Sequence, residues 1–150
     1  CYCISLSRFI FEDEPQRVIG SIEYDAELKI DKLTSGILEF KNGRSTFTCS
    51  TQLKFHQFAD IIGTMGKIEI EFPFTPPPDK PIRIIVQTTS EERTIEFEPC
   101  NQYTVQGDLF SMAVLQKSPI PTPLKDGVGN MKVIDSVFES ARLGTVVTLQ

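Results

Sequence analysis

Residues 32–53 read KLTSGILEFKNGRSTFTCSTQL, and this stretch decides the fold class because it predicts a β-hairpin. Two runs rich in β-branched and aromatic residues, 32–40 and 44–53, flank a short segment that contains Asn42-Gly43. An Asn-Gly pair between two such runs favours a tight turn, because both residues tolerate positive φ. The stretch therefore predicts two antiparallel strands joined by a short loop.

The second run of this hairpin has one face that is uniformly polar. Alternate side chains of a strand point to opposite sides, so residues two apart share a face. The polar face, which we call the polar stripe, consists of Thr46, Thr48, Ser50 and Gln52. The opposite face carries Phe47, Cys49, Thr51 and Leu53. The hairpin therefore has one side suited to a core and another suited to solvent, a second domain or another copy of the chain.

Further strands are predicted on both sides of the hairpin. One precedes it at residues 16–24, and the others follow it at 57–62, 67–72, 82–87 and 93–98. Short turns between successive strands imply mostly antiparallel neighbours. The proline-rich segment at 73–81 interrupts the series, since proline cannot donate to a strand ladder, and it is predicted as a surface loop or sheet edge. The middle of the chain therefore predicts one large, open, mostly antiparallel sheet.

The two ends of the chain show helical periodicity instead. Residues 1–11, CYCISLSRFIF, place Tyr2, Leu6, Phe9 and Ile10 at the spacing of one buried helical face. No N-cap residue precedes this pattern, so we expect that the chain is the second part of a longer protein. Two more helices are predicted, at 103–116 with a stripe of Val105, Leu109, Met112 and Ala113, and at 126–143 with a stripe of Met131, Ile134, Phe138 and Ala141. Gly144 stands where a C-cap glycine is expected.

These elements predict an α+β fold, with helices packed on one face of an open, mostly antiparallel sheet. The length of 150 residues suits a single domain over residues 1–150. The net charge of −5 is spread along the chain, with 15 Lys and Arg against 20 Asp and Glu. Such a chain lacks the clustered positive charge that nucleic acids and anionic membranes attract, so neither is an expected partner.

The sequence shows no self-sufficient active site. The four cysteines, Cys1, Cys3, Cys49 and Cys100, have no C-x-x-C spacing, which argues against a metal site and against a secreted disulfide framework; we expect a reduced, cytoplasmic protein. His56 is the only histidine, and beside Phe55 and Phe58 it is predicted to be structural. The segment 63–66, GTMG, lacks the third glycine of a dinucleotide fingerprint and is predicted to be a turn. The acidic residues Glu12, Asp13 and Glu14 are predicted to be solvated loop charges.

Six segments, in this order along the chain, resemble one known family. They are CYCISLSRFIF at 1–11, LTSGILEF at 33–40, FTCSTQL at 47–53, GTMGKIEIEFPF at 63–74, NQYTVQGDLF at 101–110 and NMKVIDSVFESARLG at 130–144. The chain is similar to the C-terminal domain of the glucose-fructose oxidoreductase, inositol dehydrogenase and rhizopine-catabolism (Gfo/Idh/MocA) family of NAD(P)-dependent oxidoreductases, and most similar to xylose and dihydrodiol dehydrogenase-like members. The resemblance implies a dihydrodipicolinate reductase-like C-terminal domain, with the family's N-terminal Rossmann domain missing from this chain.

The resemblance also implies site residues. Tyr2 matches the tyrosine of the family's Asp-x-x-x-Tyr motif, and so is expected to exchange a proton with the substrate hydroxyl or carbonyl. Asn101, Gln102 and Tyr103 are expected to contact a sugar; alternatively, they form the cap region of a helix. NAD or NADP is expected in the parent protein. The motif aspartate, the Glu-Lys-Pro lysine and the nucleotide fingerprint do not occur here, so this chain alone is expected to bind no cofactor or metal and to be inactive.

Three functions remain open at this point. The first is the substrate-side and oligomerisation domain of an oxidoreductase that acts on a sugar, cyclitol or diol, a homo-oligomer through the open sheet face, where the polar stripe would suit a self-complementary interface. The second is a non-catalytic dimerisation module that pairs through the same sheet. The third is a carrier of small ligands, since a curved antiparallel sheet capped by helices can enclose them.

Overall fold

The computed structural model describes residues 1–149, which form three helices and eight strands. In chain order these are α1 (Tyr2–Phe11), β1 (Arg17–Tyr24), β2 (Asp31–Phe40), β3 (Gly43–Ser50), β4 (Ala59–Gly63), β5 (Gly66–Ile70), β6 (Ile82–Thr88), β7 (Glu92–Phe97), α2 (Gln102–Gln116), α3 (Leu124–Leu143) and β8 (Val147–Thr148). The predicted α+β class is confirmed, and all the predicted helices and strands are present. The short strand β8 was not predicted, because two residues carry too little periodicity to show a strand.

The strands form two four-stranded sheets, in the orders β3-β2-β1-β8 and β4-β5-β6-β7. Every pair of neighbouring strands in both sheets is antiparallel, as predicted. The sequence suggested one large sheet, whereas the described residues divide their strands between two. The break falls at residues 51–58, which form no strand between β3 and β4. Local alternation shows which residues are in strands, but not where the hydrogen-bonded ladder is interrupted.

The chain divides into two compact units. The first unit comprises Cys1–Lys54 and the segment from Thr122 onward, so it contains the first sheet, α1 and α3. The second unit comprises Phe55–Pro121, with the second sheet and α2.

The core of the first unit lies between one face of its sheet and the helices α1 and α3. Its buried members come from all of these elements: Ile4, Val18, Leu38, Phe40, Val133 and Val137. Phe11 at the end of α1 stacks on Phe40, with ring centroids 4.2 Å apart. Along β2 the buried positions alternate with less buried ones, as the period-two pattern predicted. The predicted packing of helices on one sheet face is therefore found in this unit.

The helices bury different faces from those that the sequence predicted. On α1 the buried residues are Ile4, Ser7 and Arg8, whereas Tyr2 and Phe9 are 57% and 76% exposed. On α3 the buried residues are Val133, Val137 and Ser140, in place of the stripe through Met131 and Phe138. On α2 only Ala113 of the predicted stripe is buried. The prediction followed the apolar residues alone, whereas two of these faces include polar side chains whose hydrogen bonds are satisfied within the fold.

The β2–β3 hairpin is present, but its turn differs from the expected one. Phe40 pairs with Gly43, so the loop consists of Lys41 and Asn42, and neither these residues nor Gly43 has a positive φ. Gly43 instead serves close packing, because a Cβ atom there would lie 2.8 Å from Cε1 of Phe11. The glycine is therefore explained by the space it leaves for an aromatic ring.

In the second unit, the predicted turn at 63–66 is confirmed. Gly63 and Gly66 pair at the end of β4 and β5, which leaves Thr64 and Met65 as the loop. The proline-rich segment is held by Gln57, whose Oε1 accepts hydrogen bonds from the backbone N–H groups of Phe74 and Thr75 at 3.1 Å each. The Gln57 side chain thus supplies the acceptor for backbone N–H groups in a segment that forms no regular strand pairing.

Candidate functional site: the first turn of α1 and its supports

Tyr2, the predicted acid or base, lies in the first turn of α1 and is 57% exposed. The helix faces the core with Ile4, Ser7 and Arg8, so Tyr2 lies outside the buried stripe. A tyrosine in this position combines a fixed backbone with a side chain that a substrate can reach, which is what an acid or base requires.

Arg8 lies in the last turn of α1, at the opposite end from Tyr2, and is only 8% exposed. Its Nε and Nη2 atoms donate to the two carboxylate oxygens of Glu14 at 2.8 and 2.7 Å. Its Nη1 atom lies 2.9 Å from Oδ1 of Asp126 and also donates to the Asp126 carbonyl at 3.1 Å. The hydrogen bond from Arg8 lowers the pKa of Glu14 below its ordinary value. Glu14 is 57% exposed and lies in the loop after α1, as predicted. The sequence did not show that it pairs with Arg8, six residues earlier, which it reaches because the chain turns after the helix.

Two further contacts support α1 along its length. The Asn130 side chain on α3 donates from Nδ2 to the Cys1 carbonyl at 3.5 Å, next to Tyr2. Oδ1 of the same amide is buried and has no hydrogen-bond partner within residues 1–149. Ser7 in the middle of the helix shares a 2.6 Å hydrogen bond with Ser45 on β3. The helix that carries Tyr2 is therefore attached to both α3 and the sheet.

Asn101, Gln102 and Tyr103 lie together at the start of α2 in the second unit, whereas Tyr2 belongs to the first unit. Oδ1 of Asn101 accepts from the backbone N–H groups of Tyr103 and Thr104 at 3.0 and 3.3 Å. Asn101 is thus the N-cap of α2, which is the alternative that the sequence left open. The Tyr103 side chain is 64% exposed. Contact of these residues with a sugar remains a prediction.

The remaining candidates from the sequence are His56 and the cysteines. The His56 ring packs on Phe58 at a centroid distance of 5.1 Å and is exposed. Burial raises the pKa of the Cys3 thiol above its ordinary value, which keeps it protonated and a poor nucleophile. Within residues 1–149, no three His, Cys, Asp or Glu side chains converge as a metal site would require. Over the same residues, no helix has the length and apolar character needed to cross a membrane.

The described residues also do not fit a dinucleotide. Dinucleotide sites of the Rossmann type need parallel strands joined by a helix, with a glycine-rich turn at the helix N-terminus. Residues 1–149 contain antiparallel strand pairs only. Residues 1–149 therefore form no dinucleotide site of the Rossmann type.

The face of the first sheet opposite α1 and α3 carries the polar stripe. Thr46 and Thr48 are exposed there, and their partners on β2 are Ile37 and Ser35. The hydroxyl groups of Ser35 and Thr48 share a 2.8 Å hydrogen bond. Gln52, the last member of the stripe, lies beyond the end of β3, and its Nε2 atom donates to Asp25 at 3.2 Å. The face therefore combines small hydroxyl side chains with isoleucine and with the ion-paired Arg17, Glu39 and Arg44.

Comparison with known proteins agrees with this architecture. The family model described as the GFO/IDH/MocA C-terminal domain matches residues 1–69, which include α1 and the whole β1–β3 meander. Residues 1–69 are therefore similar to the GFO/IDH/MocA C-terminal domain. The match begins at Cys1 and covers Tyr2 and Arg8, so both residues lie inside the recognised domain.

The curated relatives that the chain matches include proteins named as oxidoreductases. An uncharacterized oxidoreductase of Rhizobium meliloti is 36% identical over 154 residues, covering 99% of this chain and 46% of the relative. The D-xylose 1-dehydrogenase (NADP(+)) 2 of Haloferax volcanii is 26% identical over 150 residues, covering 99% of this chain and 46% of that enzyme. The chain therefore spans about half the length of the curated relatives it matches.

Solved structures share the fold. The aldose-aldose oxidoreductase from Caulobacter crescentus, complexed with glycerol, matches with a TM-score of 0.85 at 20% identity, covering 99% of this chain and 45% of that one. The 3-ketoreductase KijD10 from Actinomadura kijaniata, in complex with NADP, matches with a TM-score of 0.82 at 15% identity, covering 93% of this chain and 45% of that one. At these identities the likeness establishes the fold and leaves the chemistry to the site residues.

Proposed function

We propose that this chain is the substrate-side and oligomerisation domain of an NAD(P)-dependent oxidoreductase that transfers a hydride to or from a sugar or a related polyol. The family of the domain supports the reaction class. Relatives that are named as D-xylose 1-dehydrogenases acting with NADP(+) support the sugar and the cofactor. We further propose a single domain over residues 1–150, preceded in the full-length protein by a Rossmann domain that binds NAD or NADP. The chain alone would then be inactive.

The observation that carries this proposal is the exposure of Tyr2 on a helix whose opposite face is held in the core. Tyr2 is 57% exposed, and Arg8 on the same helix is only 8% exposed. A proton donor must reach the substrate while its backbone stays fixed, because proton transfer needs heavy atoms within about 2.6–3.2 Å.

In the proposed reaction Tyr2 transfers the proton, and a nicotinamide bound in the full-length protein would supply or accept the hydride. When a carbonyl is reduced, its carbon receives the hydride and its oxygen takes the proton from the Tyr2 hydroxyl. Oxidation of an alcohol runs the same transfers in reverse. Tyr2 needs no metal for this role.

We assign the first turn of α2 to substrate binding. Asn101 uses its Oδ1 atom to cap the helix. Its Nδ2 group, with the side chains of Gln102 and Tyr103, would supply donors and acceptors for sugar hydroxyl groups. The exposure of Tyr103 leaves its phenol accessible for such a contact.

A cytoplasmic location is part of the proposal. All four cysteines, Cys1, Cys3, Cys49 and Cys100, are free thiols. Unpaired cysteines are typical of proteins that work in a reducing compartment.

The test is a Tyr2→Phe substitution in the full-length protein, assayed with D-xylose and other aldoses and with both NAD and NADP. Loss of the hydroxyl should lower kcat by about 10²-fold or more, the range for a positioned acid or base. Tyr24→Phe is the matched control, because Tyr24 is 48% exposed in the same unit and has no assigned role. The assignment is wrong if Tyr2→Phe keeps most of the activity, and the reaction class is wrong if the unmodified protein turns over none of these pairs.

The open sheet face favours a second role alongside catalysis. The exposed side chains of Thr46, Thr48 and Ile19 form a surface that another copy of the chain can cover. Small hydroxyl side chains lose little conformational entropy when they are buried, so they suit a tight interface. We propose homodimerisation through this face. If activity is absent, the same surface makes the chain a dimerisation module.

A further inference from the structure

The buried Arg8 is an unusual residue for the inner face of a short helix. It has two acidic partners, Glu14 and Asp126, at 2.7 and 2.9 Å. Arginine binds a carboxylate with two parallel hydrogen bonds, and this planar geometry restrains orientation as well as distance. Glu14 accepts in this manner, through both of its oxygens.

The partners of Arg8 belong to three different parts of the fold. Arg8 lies on α1, Glu14 lies in the turn that leads to β1, and Asp126 lies in the first turn of α3. The guanidinium lies against the α3 backbone, since a Cβ atom at Gly129 would lie 2.5 Å from Nη2 of Arg8. A larger side chain at 129 would therefore displace the guanidinium from these partners.

This cluster is not needed to fill the core. The buried apolar cluster of the unit forms from other residues, and a buried ion pair can often be replaced by apolar side chains with little loss of stability. What an apolar residue cannot reproduce is the directional link between α1 and α3. Asn130 makes a second link between the same helices, at the Cys1 carbonyl beside Tyr2.

We infer that Arg8 is a positioning residue, which through Glu14 and Asp126 sets the placement of α1 on α3 and hence that of the Tyr2 hydroxyl. This inference rests on the proposed function, in which Tyr2 transfers the proton. Arg8 itself touches no substrate. Arg8 and Tyr2 are less than two turns apart on the same helix, so a displacement of Arg8 is transmitted to Tyr2 through the backbone of α1.

The first test is a double-mutant cycle in the full-length protein, with Arg8→Met and Tyr2→Phe. Arg8→Met should lower kcat by about 10- to 100-fold, the effect of displacing a catalytic group by about 1 Å, and leave the KM for the nucleotide unchanged. In the Tyr2→Phe background the same substitution should have no further effect, because it acts through Tyr2. Arg83→Met is the control, since Arg83 is an exposed arginine on β6 that pairs with a single carboxylate, Glu71, within residues 1–149.

The second test does not depend on activity. With 3-fluorotyrosine incorporated throughout the full-length protein, the ¹⁹F resonance of Tyr2 is the one that disappears in Tyr2→Phe. Arg8→Met and Arg8→Lys should each shift or broaden this resonance, and Arg83→Met should not. Arg8→Lys keeps the charge without the bidentate geometry, so it provides the measurement if Arg8→Met does not fold.

The outcomes of these tests distinguish the positioning role of Arg8 from the catalytic role of Tyr2. An unchanged Tyr2 resonance in both Arg8 variants overturns the positioning role, and so does an equal loss of kcat from Arg8→Met with and without the Tyr2 hydroxyl. A moved resonance together with full activity of Tyr2→Phe supports positioning and refutes the catalytic role of Tyr2.

Discussion

At the residue scale, single polar side chains complete hydrogen bonds that the strands and helices leave open. Ser140 on α3 is 1% exposed, and its Oγ atom accepts from the Gly20 N–H at 3.0 Å. The same hydroxyl donates to the Thr145 carbonyl at 2.6 Å, just after α3 ends at Leu143. β8 pairs with β1 only at Arg17 and Val18, so Gly20 needs a different acceptor. Ser140 supplies it.

Replacement of Ser140 by alanine tests this account. The substitution removes the partner of the Gly20 N–H and of the Thr145 carbonyl beside a buried side chain, so it should lower the free energy of unfolding by about 1–3 kcal/mol. Chemical denaturation of the two proteins measures the difference. Ser136→Ala is the control, because the Ser136 hydroxyl donates to the Lys132 carbonyl in its own helix. This substitution should change stability by about 0.5 kcal/mol or less. Equal losses from both substitutions would contradict the bridging role.

The Arg8–Glu14 pair predicts a pH dependence of stability. The pKa of Glu14 is lowered in the folded protein, first by the hydrogen bond from Arg8. A carboxyl group with a depressed folded pKa stabilises above its unfolded pKa of about 4.3, and this contribution is lost as the pH falls through the folded pKa. The stability advantage of the unmodified protein over Glu14→Gln should therefore be constant above about pH 5 and shrink at lower pH.

Urea midpoints between pH 7 and pH 3 measure this difference. Glu91→Gln is the matched control, since Glu91 is exposed in the β6–β7 turn and its side chain makes no ion pair within residues 1–149. An advantage over Glu14→Gln that is the same at every pH would show that the Arg8–Glu14 pair does not contribute in the folded state.

At the element scale, aromatic rings fill the space above glycines in the first sheet. Phe47 on β3 lies over its cross-strand partner Gly36, where a Cβ atom would lie 2.6 Å from the ring. Phe11 at the end of α1 lies over Gly43 in the same manner. Phe11 also stacks on Phe40, so its ring cannot move aside without losing that contact. Helix and hairpin are thus coupled through these rings.

A Gly43→Ala substitution should therefore destabilise the protein. Overpacking of this kind costs about 1–3 kcal/mol. Thermal or urea unfolding measures the change. Gly107→Ala is the opposite control, because no atom lies within 4 Å of a Cβ at Gly107 on α2, and Gly to Ala within a helix stabilises by up to about 1 kcal/mol. A neutral or stabilising Gly43→Ala would refute the close-packing explanation.

At the scale of the whole molecule, the proposed dimer uses the sheet face opposite α1 and α3. A Thr48→Arg substitution in the full-length protein should shift the dimer to monomer, because two copies of the new charge and bulk would meet near a two-fold interface. Light scattering after size-exclusion chromatography gives the mass. Ser90→Arg, in the exposed β6–β7 turn, should leave the dimer intact. A dimer that survives Thr48→Arg would place its interface elsewhere.

The sequence predicted the fold class from features that are local. Alternating residues in β2, the turns near 42 and 64, and Gly144 as the C-cap of α3 depend only on neighbours along the chain. The buried helix faces were mispredicted because they depend on distant partners. Ser7 and Arg8 are buried only because Ser45 and Asp126, far away in sequence, satisfy them.

For the candidate site, Tyr2 was identified by resemblance, and its exposure became known only from the structure. The supports around it, Arg8 with Glu14 and Asp126, could not have been found from the pattern, since no local rule joins positions 118 residues apart. The sequence by itself therefore determined the α+β class and the resemblance to the family, because the periodicity and the order of the segments are properties of the chain itself. Only the tertiary structure decided which helix faces are buried, how the strands divide into two sheets and what holds Tyr2, because these depend on contacts between residues that folding alone brings together.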